Sequence, residues 1–362
     1  MNASLAADAG FVVLLPLAAM VYASAGRHPL AGLAASFAGV SGGFSANLLV
    51  TSLDPLLSGL TEAAARMVDA DAVVPPTCNW WFMIASTFLL TAVGAVVTTR
   101  VVEPRLGAWT GDRPDGGALS AGERRGMAAA GLAAVAVLGL AAVAVATGIL
   151  RDGDSLKPFY DALIVVLALA FGAAGVAYGA VAGTVRTSHD VARLSAEAMA
   201  TMGGYLVLAF VAAQFVSWFS WSNLGIILAV TGAETLRDLG LGGVPLLVAF
   251  VVFAACVNLL VASASAKWAV MAPVFVPMLM LLGVPPEVTQ AAYRVGDSVA
   301  NVITPMMPYF PLVIAVAVKY DARAGLGTLL AMMLPYSAAF FAAWSVLLGA
   351  WVALGLPFGP GL

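Results

Sequence analysis

Apolar residues are gathered along the chain into segments that match the thickness of a lipid bilayer. A helix needs about 20 apolar residues to cross the hydrocarbon core, at about 1.5 Å per residue. Uninterrupted segments of this kind lie at 10–26, 80–99, 127–149, 159–184, 198–218, 243–262 and 328–354. Further apolar segments, interrupted by polar residues, glycine or proline, lie at 30–57, 222–232, 268–284 and 288–318. The pattern predicts an all-α polytopic membrane protein with broken helices.

The first interrupted segment, 30–57, has two short apolar flanks around a polar centre. Each flank, of about ten residues, reaches only about 15 Å as helix, which is half of the hydrocarbon core. The centre, Gly39–Asn47, reads GVSGGFSAN, and Asp54 and Pro55 interrupt the second flank. Non-helical backbone at membrane depth is tolerated only against protein or a watery cavity. We therefore predict a re-entrant helical hairpin that turns at Ser41–Asn47, with an ordinary span that packs through small residues as the alternative.

The second half of the chain holds a comparable interruption. Residues 243–262 are apolar, Ser263–Lys267 contain two serines and a lysine, and the chain is apolar again from Trp268. A lysine at mid-bilayer costs about 2.5–3.5 kcal/mol on insertion scales, so it indicates a function. The alternative is that the lysine snorkels from a helix end to the interface. Interrupted segments in both halves are typical of inverted-repeat transporters, and we predict a second hairpin at about 243–284.

A third interruption combines charge with proline. Arg294, Asp297 and Asn301 have offsets of three and seven residues, which place them on one helical face. Several prolines between Thr304 and Pro311 then break the helix and free backbone carbonyls. This pattern favours a broken helix at about 288–318 that binds an ion or a substrate. An interfacial loop with a surface Arg–Asp pair is the alternative.

The composition agrees with a membrane protein and excludes other classes. Hydrophobic residues make up 62% of the 362 residues, and charged residues make up 10%. Soluble domains are about 25% charged. Lys and Arg number 16 against 19 Asp and Glu, so no nucleic-acid partner is expected. The two cysteines have no histidine near them in sequence and no H-E-x-x-H pair occurs, so we do not expect an enzyme.

Several long motifs resemble one known family. The matching runs are GVSGGFSANLL (39–49), CNWWFMIASTFLLT (78–91), SASAKWAVMAPVFVPM (263–278) and YRVGDSVANVITPMMPYFPL (293–312). In sequence and order they resemble the AbgT family of p-aminobenzoyl-glutamate transporters. The resemblance implies a homodimeric secondary active transporter in the lipid of the bacterial inner membrane, built from inverted repeats with two re-entrant hairpins. The opening residues resemble an internal family segment, so we expect the first spans of relatives to be missing here.

The resemblance also implies a substrate and a driving ion. The substrate would be a small anionic aromatic molecule, either p-aminobenzoyl-glutamate or a related folate metabolite, and some members resemble exporters of sulfonamide antimetabolites. The driving force would be a proton or sodium gradient. Transport residues of the family match Asp54, Asn258, Ser265, Trp268, Pro286, Arg294 and Asp297. The interrupted segments add Ser45, Asn47, Lys267 and Asn301.

These residues predict a division of roles. We expect the two hairpin tips to face each other, Lys267 or Arg294 to attract a substrate carboxylate, and Trp268 to stack on its aromatic ring. A coupling Na⁺ or proton is expected near Asp54, Asn258 and Asp297, with no other metal or cofactor. A sodium-coupled dicarboxylate carrier of the same superfamily is the main alternative. A channel is another, which would be unable to concentrate its substrate.

We group the chain into three parts on this basis. Residues 1–126 form an N-terminal transport half with the first hairpin, and 127–197 contribute intermediate spans. Residues 198–362 form a C-terminal transport half with the second hairpin and the broken helix.

Overall fold

The computed structural model describes residues 7–111, 120–152, 157–200, 242–261, 263–304, 307 and 309–360, together with single residues and short pieces between 210 and 238. The helices in these ranges are α1 (Ala7–Ser24), α2 (Pro29–Phe37), α3 (Leu53–Ala65), α4 (Trp80–Val97), α5 (Glu103–Leu106), α6 (Ala121–Ala146), α7 (Lys157–Ala182), α8 (Ser188–Ala200), α9 (Gly243–Leu260), α10 (Ala264–Leu281), α11 (Pro286–Asn301), α12 (Phe310–Val318) and α13 (Leu326–Ala353). Among the described residues, six helical segments are long and apolar enough to cross a bilayer. The predicted all-α polytopic class is confirmed.

The chain divides into two compact units. One contains residues 1–116 and 212–360, and the other contains residues 117–211. The second unit includes α6 and α7, which pack along each other, and α8. Ser120 caps α6 by a reciprocal pair of hydrogen bonds with Glu123. Every residue that the sequence predicts for the site belongs to the first unit, and the predicted three-part grouping stays a prediction.

Helix α11 lies at the centre of the first unit. Its residues from Val288 to Asn301 are all buried, and it packs against α3, α9, α10 and α13. Gly296 allows the close approach of α9, because a Cβ at this position would meet the Val251 carbonyl oxygen and lie 2.8 Å from Ala254 Cβ. A helix buried on all sides must find partners for each polar side chain that it carries.

The first interrupted segment is broken as the sequence predicts. Helix α2 continues into a π-helical turn, Ala38–Gly42, and non-helical backbone then leads to α3. The arms have different neighbours, since α2 packs against α1 whereas α3 packs against α10 and α11. The membrane side on which each arm ends, and hence the re-entrant course, stays a prediction.

The other two interruptions are also observed. Helices α9 and α10 are 18 residues each and are separated by a short break before Ala264. Helix α11 ends at Asn301 and α12 begins at Phe310, so the segment predicted at 288–318 is discontinuous. Helix α13 runs unbroken through Pro335. The segments predicted at 198–218 and 222–232 lie largely outside the described residues.

Candidate substrate and ion site

Helix α11 presents a stripe of four polar side chains. Gln290, Arg294, Asp297 and Asn301 follow one another at spacings of four, three and four residues, which places them on one helical face. All four are buried. Their hydrogen-bond and ion-pair partners come from other elements that are distant in sequence. Candidate residues from both halves of the chain therefore lie along this helical face.

Arg294 is paired with Asp54 from the first turn of α3. Arg294 Nη1 lies 2.5 Å from Asp54 Oδ1, and the two side chains are only 1% and 9% exposed. Asp54 Oδ2 accepts hydrogen bonds from the backbone N–H and the hydroxyl of Thr51, at 2.6 and 2.7 Å. A small cavity beside the pair is lined by Asn47, Trp80 and both charged side chains.

The pair with Asp54 occupies only one nitrogen of the Arg294 guanidinium, Nη1. Its Nε and Nη2 atoms are buried and have no hydrogen-bond acceptor among the described residues. A buried polar group without a partner costs about 1–3 kcal/mol, and more when it is charged. The geometry therefore leaves one edge of the guanidinium able to bind an added acceptor such as a carboxylate.

Asp297 is paired with Lys267 from the first turn of α10. Lys267 Nζ lies 2.5 Å from Asp297 Oδ1 and also contacts Asn258 Oδ1 on α9. Asn258 Nδ2 donates to the Asp297 carbonyl oxygen and to Asn301 Oδ1, each at 2.9 Å. The sequence predicts each of these four residues for the site, and the structure brings them into a single cluster.

A second network fixes Trp268 in the protein core. Its indole N–H donates to Thr61 Oγ1 at 2.9 Å, Thr61 donates to Gln290 Oε1 at 2.6 Å, and Gln290 Nε2 donates to Asn79 Oδ1 at 3.0 Å. One face of the Trp268 ring stacks on Tyr293 with centroids 4.4 Å apart. Trp268 is fully buried in this arrangement, and its stacking on a substrate ring stays a prediction.

The sequence carried signals for two residues of this network that it did not predict. Gln290 lies four residues before Arg294, so it extends the stripe of α11 by one turn. Thr61 lies seven residues after Asp54 and shares its face of α3. Helical spacing from a predicted charged residue would have been enough to propose both as candidates.

The remaining predicted residues lie at the edges of this cluster. The backbone N–H of Ser45 donates to Ser298 Oγ at 3.2 Å, so the first break contacts α11 beside Asp297. Ser265 is half-buried and lies near Ser263, with hydroxyl oxygens 3.5 Å apart. Pro286 is the first residue of α11, a position that suits proline because its missing N–H needs no partner there. Both breaks contact α11, and among the described residues no hydrogen bond joins one tip to the other.

The letters Gly39–Gly43 also match the G-x-S-x-G pattern of hydrolase nucleophiles. That motif requires a sharp turn between a strand and a helix. Here Ser41 lies in the π-helical turn that follows α2, and its Oγ has no partner among the described residues, histidine included. The match therefore does not indicate an enzyme.

Comparison with known proteins shows the family of this chain. The model of the AbgT putative transporter family matches residues 1–362. The chain belongs to this family. The p-aminobenzoyl-glutamate transport protein of Escherichia coli (strain K12) is 38% identical over 365 residues, which cover 99% of this chain and 72% of that protein.

Solved structures of the AbgT family share the fold. The YdaH transporter of Alcanivorax borkumensis is 49% identical, with a TM-score of 0.93 over 99% of this chain and 77% of that chain. MtrF of Neisseria gonorrhoeae, which illustrates a class of antimetabolite efflux pumps, is 47% identical, with a TM-score of 0.89 over 99% of this chain and 74% of that chain. The chain is thus a multi-pass membrane protein of a transporter family, and its relatives are transporters rather than enzymes.

Proposed function

We propose that this protein carries p-aminobenzoyl-glutamate or a related aromatic carboxylate across the membrane, with Arg294 as the group that binds a substrate carboxylate. The observation that carries the proposal is the buried Arg294 guanidinium, whose Nε and Nη2 have no acceptor among the described residues. A relative that is 38% identical is a p-aminobenzoyl-glutamate transport protein, which supports the substrate class.

The chemistry of arginine supports this assignment. A guanidinium presents a planar fork of N–H donors that matches the two oxygens of a carboxylate. Asp54 neutralises Arg294 before a substrate arrives, so the positive charge is never left alone in the apolar interior. A substrate carboxylate at the Nε edge would add to this pair without displacing Asp54 from Nη1.

In this proposal the pair of Lys267 and Asp297 couples transport to an ion gradient. Asp297 and Asn258 provide buried oxygen atoms, which suit either a proton or Na⁺. The protein would act as a homodimer surrounded by lipid, as the resemblance implies. Native mass spectrometry of the purified protein tests the dimer directly.

The direction of transport has a second candidate. MtrF, which is 47% identical to this chain, illustrates a class of antimetabolite efflux pumps. This similarity favours export of sulfonamide antimetabolites alongside, or instead of, uptake. Loading vesicles with a labelled sulfonamide and following its gradient-driven exit distinguishes the two directions, and counterflow against succinate and citrate tests the alternative of a dicarboxylate carrier.

The decisive experiment is uptake of radiolabelled p-aminobenzoyl-glutamate into proteoliposomes by the wild type and by Arg294→Lys. Lysine keeps the charge but loses the fork. Loss of charge-assisted hydrogen bonds worth about 1.5–3 kcal/mol predicts that the half-saturating concentration rises by about 10-fold to 150-fold. The control is Arg323→Lys, because Arg323 is a surface arginine with a side chain that is 94% exposed. A wild-type half-saturating concentration for Arg294→Lys would contradict the assignment.

A further inference from the structure

Lys267 occupies a position where a positive charge is doubly disfavoured. It is only 3% exposed, so its ammonium is removed from water. It also lies in the first turn of α10, where the positive end of the helix dipole repels a cation. Burial and the helix dipole both make a lysine at this position unfavourable for stability, which indicates that the residue has a functional role.

The atoms around the Lys267 ammonium form an oxygen ligand set. Asp297 Oδ1 is 2.5 Å away and Asn258 Oδ1 is in contact. The Asn258 amide is fixed in this orientation because its Nδ2 donates to the Asp297 carbonyl and to Asn301 Oδ1. Asp297 Oδ2 is buried and has no hydrogen-bond donor among the described residues. Carboxylate and carboxamide oxygens are the ligands that small hard cations prefer.

We propose that the Lys267 ammonium is a tethered cation that holds the place of the transported coupling ion, so that Na⁺ can bind Asp297 only when Lys267 withdraws. This inference rests on the proposed function as an ion-coupled transporter. Two positive charges cannot share one carboxylate in an apolar interior, since their repulsion there is far stronger than in water. The lysine would thereby keep the site neutral whenever the coupling ion is absent.

The neighbouring charges make Lys267 the counter-ion of this carboxylate. Arg294 lies three residues before Asp297 on α11, but its Nη1 is directed to Asp54 on α3. Asn258 and Asn301, which face the cluster from α9 and α11, are neutral. Removing the lysine charge should therefore leave a carboxylate that accepts an external cation, with the other contacts intact.

The test is binding of ²²Na⁺ to purified protein without substrate, comparing the wild type with Lys267→Met and Lys267→Arg. If the state with Lys267 withdrawn makes up about 0.1–10% of the wild type, Lys267→Met should bind Na⁺ about 10-fold to 1000-fold more tightly. Lys267→Arg should bind as weakly as the wild type. Adding Asp297→Asn to Lys267→Met should abolish the gain.

Controls make each outcome decisive. Lys319→Met removes an exposed lysine and should leave Na⁺ affinity unchanged. If Lys267→Met is not monodisperse, Lys267→Gln provides the same comparison, because glutamine can still donate to Asp297. Equal affinity in the wild type and in the neutral variant, or no Na⁺ binding by the neutral variant, would overturn the proposal. Because the assay contains no substrate, its result is independent of whether p-aminobenzoyl-glutamate is carried.

Discussion

Asp54 and Arg294 are buried partners from helices far apart in sequence, so removing one of them should cost more than removing both. Asp54→Asn leaves the guanidinium buried without a negative partner. Arg294→Gln leaves the Asp54 carboxylate buried without a positive partner. The double variant replaces the two charges by two neutral amides, so that no buried charge is left without a partner.

The structure sets the size of these effects. Breaking a buried ion pair on one side costs about 3–5 kcal/mol, and this pair is almost completely buried. Asparagine at position 54 can still accept the Thr51 N–H, so Asp54→Asn reports the lost charge rather than the lost hydrogen bond of the α3 N-terminus. The double variant should recover most of the loss, which gives a coupling free energy of at least about 2 kcal/mol.

The assay is equilibrium unfolding in mixed micelles, followed by tryptophan fluorescence, for the wild type, both single variants and the double variant. The matched control is the Arg27 and Glu103 pair, whose side chains are 39% and 24% exposed. Its coupling free energy should not exceed about 1 kcal/mol, because solvent screens it. The reasoning is refuted if the losses for Asp54 and Arg294 simply add, within about 0.5 kcal/mol.

Three further changes, two beside the site and one at the start of α2, are tested by the same unfolding assay. Gln290→Leu removes an amide that bridges two helices and a loop and should lower the free energy of unfolding by about 1–3 kcal/mol. Gly296→Ala inserts a methyl group between α11 and α9, against the Val251 carbonyl oxygen, and should cost about 1–3 kcal/mol, whereas Gly59→Ala, where a Cβ meets nothing within 4 Å, should cost nothing. Burial lowers the pKa of His28, whose Nδ1 accepts the Leu30 N–H and caps α2, so the folded state binds fewer protons than the unfolded state and stability should fall as the pH drops below about 6.5. His28→Asn keeps the cap and should reduce this loss, and an unchanged pH dependence would contradict the assignment.

The sequence was sufficient to predict the apolar helices among the described residues, the three interruptions and the polar face of α11. Each of these follows from local properties: apolar length, helix-breaking residues and a spacing of three or four residues. The pairing of charges is not local. The sequence left open whether Lys267 or Arg294 attracts a substrate carboxylate. In the structure Lys267 is paired with Asp297, because the break before α10 brings its first turn against α11.

The role of Trp268 illustrates the same limit. A tryptophan beside a charged residue in a broken apolar segment is equally compatible with an aromatic binding surface and with a core position. The choice depends on Thr61 and Tyr293, which reach the indole from α3 and α11. Neither the spacing along the chain nor hydropathy contains this information, since it arises only when three helices are packed together.

The binding groups proposed for the substrate and for the coupling ion lie on the same helix, α11. Arg294 and Asp297 carry opposite charges one helical turn apart, and each is neutralised by a helix that follows a different break. An anion bound at Arg294 or a cation bound at Asp297 changes the charge balance of the same buried helix. Because linkage is reciprocal, any movement of α11 that one ligand favours must change the affinity for the other by the same factor. A substrate dependence of Na⁺ affinity, with the reverse dependence equal in size, is therefore the quantitative signature that this helix should produce.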